Sequence, residues 1–247
     1  MKEISLSPSK LNLFLESPQC FWDAEAGDCP RPRGIFPSLP GGMDLILKQW
    51  ADRYRGELPP PLVGRLPGVL WKDDRLTKFR HWKTAPQYHN DAHNVTLRGA
   101  LDDILSVGEA LVPLDWKTKG SMPKDDGSQY YQSQMNCYTL MLTAGGYKTL
   151  DMAYLVYVHP SAATLQPKNE ASPIINVSFL LTPFCLETNP DKAEETLIKA
   201  AECLRGPRPK ATVSNEWVEY VNKKIIIANN ILKTEDQDGR KETTNNT

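Results

Sequence analysis

Cysteine is scarce in this chain and badly placed for cross-linking. Its five cysteines, Cys20, Cys29, Cys137, Cys185 and Cys203, are scattered, odd in number and never arranged as C-x-x-C. Neither a disulfide scaffold nor a compact zinc site is expected, and a reducing cytoplasm fits the pattern. Long apolar runs are also missing. Stretches such as Ile225 to Ala228 are far too short to span a bilayer, and no basic region followed by an apolar core opens the chain. No membrane segment and no signal peptide are expected. An excess of one charge is lacking too: 29 Lys and Arg stand against 30 Asp and Glu, a net charge of −1. Any attraction for phosphate must therefore come from a local patch. No phosphate-cradling loop and no nucleophile elbow occur, so ATP hydrolysis and Ser-His-Asp chemistry have no sequence support.

What the chain does have is the make-up of a globule with a core. Over its 247 residues, 40% are hydrophobic and 24% charged. Residues 1–233 read as a single domain, with a helical extension from about 189 to 233. The polar tail 234–247 is expected to be disordered.

Punctuation and periodicity give a coarse map. Ser7-Pro8 starts a helix that Ser17-Pro18 ends, and Pro30 to Gly42 reads as loop. Met43 to Arg55 is an amphipathic helix stopped by Gly56, with Leu47, Trp50, Ala51 and Tyr54 along one side. Strands are predicted near Leu76–Trp82, Val95–Leu105, Ala110–Lys117, Met152–His159 and Ile174–Leu181. Helices are predicted at about Gln129–Thr143, from Asn189-Pro190 to Leu204, and over Glu216–Leu232. This order implies an α/β core, helices packed on a mixed sheet.

The chemistry gathers in one hairpin. Gly108-Glu109 suits a two-residue turn, which pairs Val107 with Ala110. Counting back along both strands puts Asp102 opposite Asp115 on one face, with Lys117 on that face two residues further. Val112, Leu114 and Trp116 then point to a core. Two carboxylates beside an ammonium suit a hard divalent ion, Mg²⁺ or Mn²⁺, able to activate water. The same residues also suit a surface hairpin with an Asp102–Lys117 salt bridge. A one-residue slip would put Asp103 in place of Asp102.

A second pattern spans Trp71 to Lys83, where Lys72, Arg75, Lys78, Arg80 and Lys83 alternate with Trp71, Phe79 and Trp82. It fits a nucleic-acid surface, with cations on phosphates and rings on bases. It fits equally a half-buried strand with a solvated basic face. His89-x-x-x-His93 has helical metal-binding spacing, but Pro86 and Asn90 favour a polar loop there.

Taken with their surroundings, these motifs resemble the RecB-type nucleases of the PD-(D/E)XK superfamily, near the CRISPR-associated exonuclease branch. The likeness rests on the G-x-x-D of Gly99 to Asp102, the D-W-K-T-K of Asp115 to Lys119 and the Q-x-x-x-Y of Gln134 to Tyr138. Leu6-Ser7-Pro8-Ser9-Lys10-Leu11 and Ser17-Pro18-Gln19-Cys20-Phe21 add an N-terminal motif. The resemblance implies a restriction-endonuclease-like core and a metal-dependent nuclease hydrolysing DNA phosphodiesters, more readily as an exonuclease. It implies metal held by Asp102, Asp115 and the backbone carbonyl of Trp116, with Lys117 as the catalytic lysine. Gln134 and Tyr138 would shape the site or touch DNA, although core packing also suits Tyr138 and exposure suits Gln134. Asp44 stands where relatives place a metal-binding histidine, so it is either a third ligand or a residue favoured near a helix N-terminus. The cysteines do not match the iron–sulfur set of some relatives, and no cluster is expected. Partners would be single- or double-stranded DNA and a separate helicase or other recombination, repair or defence protein. The alternative is a non-catalytic nucleic-acid-binding or assembly protein on the same fold.

Overall fold

The computed structural model describes residues 2–27, 29, 38–122, 125–161, 177–210, 219–220 and 222–223. The chain divides into two compact units, Met1–Leu11 with Ile35–Ile198, and Asn12–Gly34 with Lys199–Thr247.

The first unit is built on a five-stranded mixed sheet. Its strands are β2 (Val69–Leu70), β5 (Asp103–Val107), β6 (Ala110–Thr118), β7 (Met152–Pro160) and β8 (Phe179–Glu187). Their spatial order is β2-β5-β6-β7-β8, with only the β6–β7 pair parallel. A smaller sheet joins β1 (Ile4–Leu6), β4 (Val95–Leu97) and β3 (Tyr88–Asn90), with β4 in the middle. The helices are α1 (Pro8–Glu16), α2 (Pro18–Glu25), α3 (Ser38–Ala51), α4 (Arg75–Phe79), α5 (Gln132–Ala144) and α6 (Pro190–Arg205).

The β5–β6 hairpin has the expected register. Gly108 sits at φ 60°, a turn conformation that glycine adopts without strain, and Val107 pairs with Ala110. The ladder runs to Asp103 opposite Leu114, and one further step brings Asp102 level with Asp115. Because β6 has a strand on each side, its residues from Ala110 to Trp116 are all buried. Val112, Leu114 and Trp116 share a cluster with Leu47 and Ala51 of α3 and with Leu62, Leu70, Val156 and Val158. Alternation turns Asp115 away from that cluster, toward α5.

In the second unit the Ser17 side chain caps α2, its Oγ accepting from Cys20 N at 3.3 Å, with Pro18 in the first turn. Ser17-Pro18 thus ends one helix and starts another. Arg208 forks onto buried Asp23 at 2.7 and 2.9 Å, and Trp22 Nε1 donates to Gly206 O at 3.2 Å.

Several elements differ from the sequence expectation. The strand expected over Val95–Leu105 is two strands, β4 and β5, in different sheets; the one expected over Ile174–Leu181 overlaps β8, which runs Phe179–Glu187; and His89, expected in a polar loop, lies in β3. Helix α3 begins at Ser38, so the Pro/Gly stretch belongs to it in part. The segment Leu76–Trp82 is not a strand: α4 occupies Arg75–Phe79. Its buried residues, Leu76 and Phe79, lie three apart, which a helix places on one side and a strand on opposite sides. Asp73 Oδ1 accepts from Arg75 N at 2.9 Å and steadies the start of that turn. Most of the predicted Glu216–Leu232 helix, the tail and the residues 174–176 fall outside the described residues. Among the described residues, no helix is long and apolar enough to cross a membrane.

Candidate active site

Asp115 is the centre of the site. Its residue is fully buried, and its Oδ1 accepts from Gln134 Nε2 at 3.2 Å. Its Oδ2 is buried and lies 2.6 Å from the Lys117 ammonium, its ion partner. Burial, with the repulsion of the Asp102 carboxylate next to it, pushes its pKa up to about 7 against the pull of Lys117. A buried acid strained in this way by a second carboxylate is a setting that a cation relieves.

Helix α5 supplies the neighbouring wall. Gln134 and Tyr138 are one turn apart, and Gln134 Nε2 also donates to the Tyr138 hydroxyl at 2.6 Å. Tyr138 is buried, and burial together with Asp115 and Asp102 holds its pKa well above that of an ordinary tyrosine. Tyr138 therefore stays protonated and offers a neutral hydroxyl. Gly99 makes room for this arrangement: a Cβ there would lie 3.1 Å from Pro8 and 3.7 Å from the Tyr138 ring.

Two lysines face the carboxylates. Lys117 is held between Asp115 and the Tyr131 ring, its Nζ 4.5 Å from the ring centroid. Lys48, from α3, bridges Asp44 Oδ2 and Asp102 Oδ1, both at 2.8 Å. Burial works against the Lys48 ammonium, but Asp102 and Asp44 outweigh it and raise its pKa. Asp102, Asp115, Lys117, Gln134 and Tyr138 thus lie together, and Asp44 reaches the group through Lys48. The proposed Asp102–Lys117 salt bridge gives way to pairings of Asp102 with Lys48 and of Asp115 with Lys117.

Sequence reasoning missed Lys48 and Tyr131. The i, i+4 spacing of Asp44 and Lys48 was the available signal for the first. It also missed a charge cluster around the buried Asp103 carboxylate. There Asp103 meets Arg55, Arg80 and the Trp116 indole, and Asp52 joins both arginines.

The comparisons are clear at one level. The model of the PD-(D/E)XK nuclease superfamily matches residues 35–239. The chain belongs to that superfamily. Its mixed sheet flanked by helices is the restriction-endonuclease-like fold of these nucleases, which use divalent metal ions and bind nucleic acid. No curated protein matches the chain. Among solved structures, the crystal structure of SSO0001 is similar at 12% identity and a TM-score of 0.42, over 86% of this chain and 81% of that one.

The superfamily implies a metal, and the donors present suit one: hard carboxylate oxygens of buried Asp115 and neighbouring Asp102, each now balanced by a lysine ammonium. Among the described residues, no group of three His, Cys, Asp or Glu is poised to hold a metal by side chains alone. Water, a backbone carbonyl or substrate oxygen would have to complete the shell.

The other sequence candidates separate. In the Trp71–Lys83 stretch, Trp71 and Phe79 are core residues and Arg80 joins the cluster around Asp103. Lys72, Arg75, Lys78, Trp82 and Lys83 are exposed. Arg98 and Lys83 lie over the Trp82 ring at 5.0 and 5.3 Å. His89 belongs to β3 and contacts Thr96 Oγ1 at 2.7 Å, and His159 is buried against Thr182. The five cysteines form no disulfide.

Proposed function

We propose that this chain is a Mg²⁺- or Mn²⁺-dependent deoxyribonuclease of the RecB type, acting as an exonuclease. The observation that carries this reading is the meeting of buried Asp115, Asp102 and Lys117 at one end of the β5–β6 hairpin. Asp102, Asp115 and the Trp116 carbonyl would hold the ion, with Asp44 as a further carboxylate reached by movement of Lys48. When bound, the ion supplies a water of lowered pKa and offsets charge developing on the phosphate.

The residues of the chain divide the remaining work. Gln134 fixes the Asp115 carboxylate through Oδ1, and Oδ2 faces the Lys117 ammonium. Lys117, restrained by Asp115 and Tyr131, presents an ammonium that can orient a nucleophilic water or stabilise the transferring phosphoryl oxygens. Tyr138 braces Gln134 with a neutral hydroxyl. Exposed Lys78, Lys83 and Trp82, with Arg98 over the Trp82 ring, are the surface we assign to DNA phosphates and bases. Residues 1–233 are taken as one nuclease domain without an iron–sulfur cluster, working in the cytoplasm beside a separate helicase or repair protein.

The test is cleavage of labelled single- and double-stranded DNA with Mg²⁺, Mn²⁺ or EDTA, beside Lys117→Ala. Loss of cleavage in EDTA, and a fall of about 10²–10³ in kcat for Lys117→Ala, are expected. Cleavage that persists in EDTA, or that Lys117→Ala leaves intact, overturns the mechanism. A protein that binds DNA without cutting it belongs to the alternative class, a binding or assembly protein.

A further inference from the structure

The Asp102-Asp103 pair poses a problem for the hairpin. Strand alternation sends adjacent side chains to opposite faces, so a one-residue slip against β6 would present Asp103 to the site instead of Asp102. Both are carboxylates, and the metal chemistry itself does not choose between them. Something else must set the register.

Asp103 is fully buried and its carboxylate is saturated. Oδ1 accepts from Arg55 Nη1 at 2.6 Å and from Ile104 N at 2.9 Å. Oδ2 accepts from Arg55 Nη2 at 2.9 Å, Trp116 Nε1 at 3.2 Å and Arg80 Nη2 at 3.4 Å. Arg80 also donates through Nε to the Asp102 carbonyl at 2.9 Å. Asp52 ties the two guanidinium groups together, taking Arg55 Nη2 at 2.6 Å and Arg80 Nη1 at 2.8 Å. Trp116 stands between Asp115 and Lys117 in sequence. One buried carboxylate therefore joins the backbone of Asp102 on one side to the strand bearing Asp115 and Lys117 on the other.

We infer that Asp103, with Arg55 and Arg80, is a positioning device that locks the hairpin register and so delivers Asp102, not Asp103, to the metal site. The slip that would bring Asp103 to the site would carry Ile104 into the cage, leaving two half-buried guanidinium groups facing a hydrocarbon. The opposite slip would put Leu101 where a metal-binding carboxylate is needed. The inference rests on the nuclease reading for its catalytic consequence, but the register lock stands on the cage geometry alone.

The full chain is compared with Asp103→Asn, Arg80→Met and Arg80→Lys for Mn²⁺ affinity by calorimetry, kcat and KM on labelled DNA, thermal unfolding and cross-strand NOEs between residues 102 and 115. Groups that orient metal ligands from behind typically change affinity or activity by about 10–100-fold. Asp103→Asn and Arg80→Met are expected to weaken Mn²⁺ binding and lower kcat by about that factor, with KM for DNA nearly unchanged. Arg80→Lys, which keeps the charge, is expected to retain more of both than Arg80→Met. If Asp103→Asn fails to fold, the Arg80 pair decides the matter, because the Arg55–Asp103 fork survives in it. Variants that lose only thermal stability, with Mn²⁺ affinity and kcat at wild-type values, would show a purely structural cage and overturn the inference. Should the wild type neither bind Mn²⁺ nor cut DNA, the nuclease reading falls. The NOEs then decide the register: weakened or lost in the variants if the cage sets it, unchanged if it does not.

Discussion

The Lys48 ammonium lies 2.8 Å from the Asp102 carboxylate, on the residue proposed to hold the metal. A resident cation at a ligand oxygen repels an incoming divalent ion more strongly than its single hydrogen bond helps to orient the ligand. Lys48→Met is therefore expected to tighten Mn²⁺ binding by about tenfold, a difference of roughly 1.4 kcal/mol. Calorimetry on the metal-free protein checks this. A weaker affinity would mean that Lys48 serves chiefly to aim Asp102.

Asp44 gives a companion test. On the proposal that it is a ligand reached by movement of Lys48, it would contribute a carboxylate oxygen to the ion. Asp44→Ala should then weaken Mn²⁺ binding on the order of tenfold. An unchanged affinity would reduce Asp44 to a partner of Lys48.

Asp115 makes the metal-free protein sensitive to pH. Its folded-state pKa, about 7, lies above the value of about 3.9 for an unfolded aspartate. Between these values the folded state keeps a proton that the unfolded state has released, so stability falls as pH rises through the window. Asp115→Asn removes the titration. In urea denaturation with EDTA, its stability relative to wild type should rise by about 3 kcal/mol from pH 5 to pH 8. A difference that does not vary with pH would sink the argument.

Gly68 marks a close approach of chain to chain. It has φ 65°, and a Cβ there would lie 2.0 Å from the Ser106 carbonyl oxygen, beside the β2–β5 pair. Gly68→Ala meets both a backbone clash and left-handed strain, and is expected to cost about 2–4 kcal/mol. Chemical denaturation measures it. A cost below about 1 kcal/mol would show that the turn relaxes freely.

Cys137 is buried in α5, and burial pushes its thiol pKa up to about 12. At pH 8 it should resist a thiol reagent that modifies exposed Cys185 rapidly. Equal rates at the two positions would show that α5 opens readily.

The sequence was most legible where period and turn chemistry agreed. Gly108 fixed the hairpin turn, and counting from it placed Asp102 against Asp115. The helix spacing of Gln134 and Tyr138 gave the opposing wall. Legibility failed where the decisive partner lay far along the chain. Nothing local to Lys48 announces Asp102, and nothing near Asp103 announces Arg55 or the Trp116 indole. The Trp71–Lys83 stretch misled for another reason. Its alternating rings and cations imitate a strand, whereas the residues actually buried, Leu76 and Phe79, follow a helical interval.

Strand β6 has neighbours on both sides, with Asp115 in its buried run. Amides in such a strand are among the last to exchange with solvent, because freeing them requires most of the domain to open. The proposed chemistry is therefore anchored where the molecule breathes least, while Lys48 and the exposed basic residues sit on helices and connecting segments that can vary more cheaply. On the nuclease reading, a lineage could retune which nucleic acid it accepts along α3, α4 and the Trp82 surface without disturbing the proposed bond-breaking centre.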